Sequence, residues 1–142
     1  MDIDAVWEEN VILVDAAYAD SIAFDLSVNF ERMLERRIPK ADLARWLDCI
    51  ALDGRLRPLE SNGERKIQVI FIYPKVKKKF DNFIPSEFSS DINGMAFTDN
   101  LGEFVSFCYP VEDIVDKATF FMESLQAIVD EKRVKNLMII PD

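Results

Sequence analysis

Histidine is absent from the 142 residues. That excludes the Ser-His-Asp triad, the Cys-His dyad, imidazole general bases and every zinc site with an imidazole ligand. Only two cysteines are present, Cys49 and Cys108, too few for a four-cysteine metal site or a disulfide framework. Each lies among apolar neighbours and reads as a small buried hydrophobe, with no histidine to act as its base. Glycine is scarce, at four residues. Neither a GxGxxG nor a Walker-type loop occurs, so no nucleotide cofactor is expected. No apolar run approaches the roughly 20 residues of a membrane span; the longest is Val69–Tyr73, extended by Ile67. The first ten residues carry neither a basic n-region nor an apolar h-region, so no secretory leader is expected. The expected compartment is the cytoplasm, with no membrane partner and both cysteines reduced.

The composition that remains is that of a globular protein: 49% hydrophobic and 30% charged residues, in a length that suits a single domain over 1–142. Seventeen basic and 26 acidic residues give a net charge of −9. Such a surface repels nucleic-acid phosphates and anionic lipid unless its positive charges are gathered in one place. It does not exclude a nuclease, because metal-binding carboxylates themselves add negative charge.

Along the chain, Val11–Val14 is a wholly apolar, β-branched run closed by Asp15, as in a strand buried on both faces. The segment 21–37 carries two patterns. Ile22, Phe24, Leu26, Val28 and Phe30 alternate as in a strand, whereas Ile22, Leu26, Phe30, Met33 and Leu34 share one face of a helix. We read it as a helix capped by Asp20 or Ser21, buried on more than one side and stopped by Pro39. The strand reading would give an α+β fold with an antiparallel hairpin at 11–30. Leu43, Trp46, Leu47, Ile50 and Ala51 mark a second helix, with Gly54 at its end. Ile67–Tyr73 is the strongest strand, interrupted only by Gln68. The stretch 80–100 is too apolar for a free linker and reads as an irregular, partly helical cover. Phe104–Tyr109 is a third strand, 111–131 a helix with Ile114, Ala118, Phe121, Leu125, Ile128 and Val129 as its stripe, and Leu137–Ile140 a last strand. Alternation of this kind predicts one three-layer α/β domain with a mostly parallel sheet.

Ligands of such sheets bind outside the carboxyl ends of the strands. Three of those ends carry acids: Asp15 and then Asp20; Glu112, Asp113 and Asp116; and Asp142. If the strands are parallel, these carboxylates share one edge, where hard cations such as Mg²⁺ or Mn²⁺ take oxygen ligands. A metal there would activate water for phosphodiester cleavage.

The segments VILVDAAYADS, YPVEDIVDKATFF and LMIIPD resemble the three acidic stations of PIN-like nucleases, particularly the NYN branch. The resemblance implies a Mg- or Mn-dependent ribonuclease. It would have Asp15, Asp113 and Asp116 as catalytic residues, and Asp15, Asp20, Asp113, Asp116 and Asp142 as metal ligands. That family continues past its last acidic strand, whereas this sequence ends at Asp142, so a degenerate, non-catalytic form is the other expectation. More closely, ADSIAFDLSVNFERMLERRIPKADLARWLDCIALDG resembles a family of short bacterial proteins known only as a domain of unknown function, which implies no activity.

Lys75, Lys77, Lys78 and Lys79 form the one dense basic patch. Followed by Phe80 and Phe83, they suggest RNA held by phosphate contact and stacking, or else a solvated turn with lysines guarding a sheet edge. Two function classes therefore stand. One is a divergent PIN/NYN-like nuclease. The other is a non-catalytic domain that uses the aromatic cover over 80–97 to bind a protein partner or a second copy of itself.

Overall fold

The computed structural model describes residues 7–60, 63–112 and 114–141, with the side chains of 114–116 left out. Its elements run β1 (Asn10–Asp15), α1 (Ala16–Leu34), β2 (Ala41–Asp42), α2 (Leu43–Asp53), β3 (Lys66–Pro74), β4 (Phe83–Ile84), a π-helical turn at Phe88–Ile92, β5 (Ala96–Asp99), β6 (Gly102–Val111), α3 (Ile114–Asp130) and β7 (Asn136–Ile140). Five strands form one sheet in the order β5-β6-β3-β1-β7. All neighbouring pairs in it are parallel except β5 with β6. The architecture is thus α/β with a mostly parallel sheet, as the alternation predicts. Among the described residues, no helix is long and apolar enough to cross a membrane.

Two apolar layers sandwich the sheet. Ile12 and Val14 of β1 and Ile67, Val69, Phe71 and Tyr73 of β3 face α1, α2 and the 80–92 segment. Val11 and Leu13 and Ile70 and Ile72 face α3 together with Trp7. The parity of side chains along each strand enforces this division. The crossovers from β1 to β3 and from β3 to β6 step in one direction and cover one face. The step from β6 back to β7 runs the other way, so a right-handed connection puts α3 on the opposite face. Gln68, the polar interruption in β3, is buried and satisfied: its Oε1 accepts the Glu8 N–H at 3.1 Å.

Four expectations need correction. No hairpin forms over 11–30; that segment is β1 followed by α1. The helix begins at Ala16, not after Asp20 or Ser21, because Asp15 caps it, accepting the Tyr18 N–H. Nor is α1 buried on several sides: only Ala16, Ala19 and Asp20 are buried, and the helix overhangs the core beyond them. In α3 the buried stripe is rotated by about one residue. It runs through Lys117, Phe120, Phe121, Ser124 and Ile128, while Ala118 and Val129 are exposed.

Gly102 opens β6 with φ +137, and a Cβ there would lie 2.5 Å from the Arg65 carbonyl oxygen. Both the backbone conformation and the close approach demand glycine. Gly102→Ala is expected to lower stability by about 2 kcal/mol or more in chemical denaturation, since strain and overpacking add.

Candidate functional site

β1 is flanked by β3 on one side and β7 on the other, and the order of the parallel strands reverses there. In open α/β sheets the crevice at the carboxyl side of such a reversal is the usual ligand site. Asp15 ends β1 at that point.

The side chain of Asp15 is buried and already engaged. Lys117, itself buried on α3, places its Nζ 3.1 Å from one carboxylate oxygen and 3.3 Å from the other. The Tyr18 N–H donates to the same carboxylate at 3.3 Å. Two charges withdrawn from water in this way need each other. The requirement explains the rotation of α3: a lysine on the stripe is tolerated because an aspartate at the strand end faces it.

Asp20, one and a half turns into α1, is buried on the other side of the sheet edge. It accepts the Asp81 N–H at 3.1 Å and the Asn82 N–H at 2.9 Å, and the Asn82 amide also reaches it at 3.2 Å. Lys77 adds its ammonium at 3.3 Å. Asp20 thereby ties the 80–92 cover to α1. Asp15 and Asp20 have separate partners, Asp15 on α3 and Asp20 on the cover. Asp113 and Asp142 lie outside the described residues, as does the side chain of Asp116, whose backbone belongs to the first turn of α3. Lys117, one residue later, shows that this turn abuts Asp15. Among the described residues, no three or more acidic or cysteine side chains are grouped to hold a metal ion.

The four lysines occupy the turn after β3 and are exposed. Lys77 is committed to Asp81 at 2.8 Å and to Asp20, and Lys75 reaches Glu112 at 3.3 Å. The Asp81 hydrogen bond is the main reason the Lys77 ammonium is held above its ordinary pKa. The aromatics that follow offer no platform for bases. Phe80 and Phe83 are fully buried and pack on each other with ring centres 4.8 Å apart. The expectation that 80–97 presents an apolar docking face is overturned for the same reason: Phe80, Phe83, Phe88 and Ile92 are core residues. Tyr73 stacks on Phe88 at 4.2 Å beneath them.

The cysteines differ. Cys49 is exposed on α2, contrary to its apolar neighbourhood in sequence. Cys108 is largely enclosed, and burial pushes its thiol up to about 12, far from a nucleophile at neutral pH.

A concavity of about 860 Å³ opens at the amino edge of the sheet, away from these acids. Arg65, Lys66 and Arg133 line it among five acids, Glu8, Glu9, Glu64, Asp99 and Glu103, so the two signs of charge are mixed. Arg65 is spent on backbone, donating to the Arg57 and Leu101 carbonyls.

One acidic pair escaped the sequence reading. Asp48 of α2 meets Asp99 at the end of β5, and its Oδ1 is buried without a hydrogen-bond partner. Burial first, then Asp99 and more weakly Asp42, push the Asp48 carboxyl from its ordinary 3.8 up to about 7. No local pattern marks this pair, because residues 48 and 99 meet only through the fold. Lys117 did have a signal: it lies three residues after Ile114 and four before Phe121, on the apolar side of its helix.

A family model described as Family of unknown function (DUF6621) matches residues 4–142. The chain belongs to that family. No curated protein matches the chain, and no solved structure matches it. Membership covers almost the whole sequence and assigns no chemistry, so the function must be argued from the side chains themselves.

Two predictions follow from the buried groups. Lys117→Met leaves the Asp15 carboxylate buried without its cation and is expected to cost about 3 kcal/mol in urea denaturation. Adding Asp15→Asn should recover most of that loss. For Asp48, the folded chain keeps a proton that the unfolded chain releases between about pH 4 and 7, so this group makes stability fall as pH rises through that window and leaves it level above. Asp48→Asn should remove that decline and, after allowance for solvent screening, raise stability at pH 8 by about 1–2 kcal/mol. Denaturation midpoints at pH 5 and pH 8 test this.

Proposed function

We propose that this chain is a non-catalytic interaction domain and that its acidic edge is a structural ion-pair site. The observation that carries this reading is the Lys117 ammonium, seated within 3.3 Å of both Asp15 oxygens. It supplies from within the chain the positive charge that a divalent ion would bring. An ion entering there must displace a buried ammonium from the Asp15 carboxylate. Asp20 is no freer, since its oxygens already bond two backbone N–H groups of the cover and an ammonium.

A second reading, a divergent PIN/NYN-like nuclease, keeps one specific support. The strand-order reversal brings Asp15 and the first turn of α3 to one edge, where the metal of such an enzyme would act as activator of the attacking water. In that case Asp15, Asp113 and Asp116 would hold it.

Thermal unfolding with and without millimolar Mg²⁺ or Mn²⁺ separates the two. The interaction reading expects the same midpoint under all conditions. A ligand at about 100 times its Kd stabilises by about 2.7 kcal/mol, several degrees for a chain of this size. A shift of that size in the wild type, lost in Asp15→Asn, would overturn the interaction reading and make RNA cleavage the next assay.

A further inference from the structure

The stripe of α1 that packs on the sheet does not stop where the sheet does. Ala16, Ala19 and Ala23 touch the core, at spacings of three and four residues. Continued at the same spacing, that face carries Leu26, Phe30, Met33 and Leu34. These four have no body to pack on: Leu26 is 53% exposed, Phe30 50%, Met33 76% and Leu34 50%. A soluble helix does not ordinarily hold four consecutive stripe positions in water.

We propose that this overhang is the dimer interface of the protein, occupied by α1 of a second copy lying antiparallel to it. The proposal deepens the interaction reading above by naming the partner, and rests on that reading for its function though not for its test.

Three features favour a second copy. The first is area. With about 150–250 Å² for a large side chain, the four exposed residues present roughly 400 Å² per chain. With a rim of Ile22, Ser27 and Asn29 on each copy, a symmetric pair covers about 1,000 Å² in total, where specific interfaces begin. The second feature is charge. The chain carries −9, but the segment 16–40 holds four acids, Asp20, Asp25, Glu31 and Glu35, and four bases, Arg32, Arg36, Arg37 and Lys40. It is locally neutral and so adds nothing to the repulsion that the net charge of −9 imposes between copies. The third is register. An antiparallel arrangement about a two-fold axis near residue 28 sets Leu26 of one copy against Phe30 of the other, and Ile22 against Leu34. The same register sets Ala23 against Met33, so apolar positions of the stripe meet apolar positions throughout, while Asp25 and Arg32 lie on the opposite side of the helix.

Sedimentation velocity of the full chain over about 1–200 µM tests this, because an interface of that size at the low end of the specific range gives micromolar affinity. The wild type should move from monomer to dimer across the range. Leu26→Glu with Phe30→Glu should sediment as monomer throughout with an unchanged circular dichroism spectrum, both sites being exposed. A wild type that stays monomeric at the top of the range overturns the proposal, as does a dimer untouched by the two glutamates. These outcomes are independent of the metal titration: a monomer with no metal shift sinks the dimer alone, and a dimer with a metal shift sinks the non-catalytic reading alone.

Discussion

Every residue of β1 is buried, and seven consecutive residues of β3, Ile67–Tyr73, are buried beside it. A strand pair enclosed on both faces cannot fold as an edge or a hairpin. It requires cover above and below, and each fully buried Val, Leu, Ile or Phe is worth about 1.5–3 kcal/mol only once that cover is in place. The rest of the molecule answers that requirement. The chain leaves β1 into a helix, crosses back with two more apolar segments on the same face, and then reverses direction to bring α3 over the other. The acidic edge is a consequence: parallel strands end together, so whatever follows each strand in sequence is collected at one side of the sheet.

Burial at that edge is what separates Asp15 from a solvated acid. A carboxylate at the end of a fully buried strand must find a positive charge or stay neutral. α3 supplies the charge by turning Lys117, instead of Ala118, toward the sheet. Asp20 meets the same demand with backbone N–H groups and Lys77, and in doing so fixes the loop that carries Phe80 and Phe83 into the core. Two acids that read in sequence as a potential cation site therefore act as ties, one between β1 and α3 and the other between α1 and the aromatic cover.

Legibility in the sequence followed the locality of the signal. β1, β3, β6 and β7 were readable because continuous apolar runs belong to buried parallel strands, and α2 because its stripe and the Gly54 that ends it are adjacent in sequence. The antiparallel edge strand β5 was not, since AFTD is short and takes its pairing from β6. Position 118 looked better than 117 on the α3 stripe because alanine is apolar and lysine is not, and the compensating aspartate is 102 residues away in sequence. Asp48 and Asp99 were invisible for the same reason. In the cover, aromatic content correctly indicated packing, but the run of lysines before it suggested a surface, and the fold turned the rings inward.

The helix α1 shows the opposite case, in which the local pattern is clear and the chain alone does not satisfy it. Its stripe has helical period over its whole length, yet the sheet spans only the first turns. At about 1.5 Å per residue the eleven residues after Ala23 extend some 16 Å past its core contact. An isolated helix of that length gains little from propensity in water and depends on packing of its apolar face. Leu26, Phe30 and Leu34 would be costly to keep exposed if they did nothing, because a polar residue at each position would serve the monomer as well and reduce its tendency to associate. A stripe that continues in phase beyond its own core, on a locally neutral segment of a strongly acidic chain, is consistent with a surface shaped by contact and not by solvent. The contact that fits it without any further component is the same helix from another copy, because a two-fold pairing sets the exposed apolar positions of one copy against those of the other.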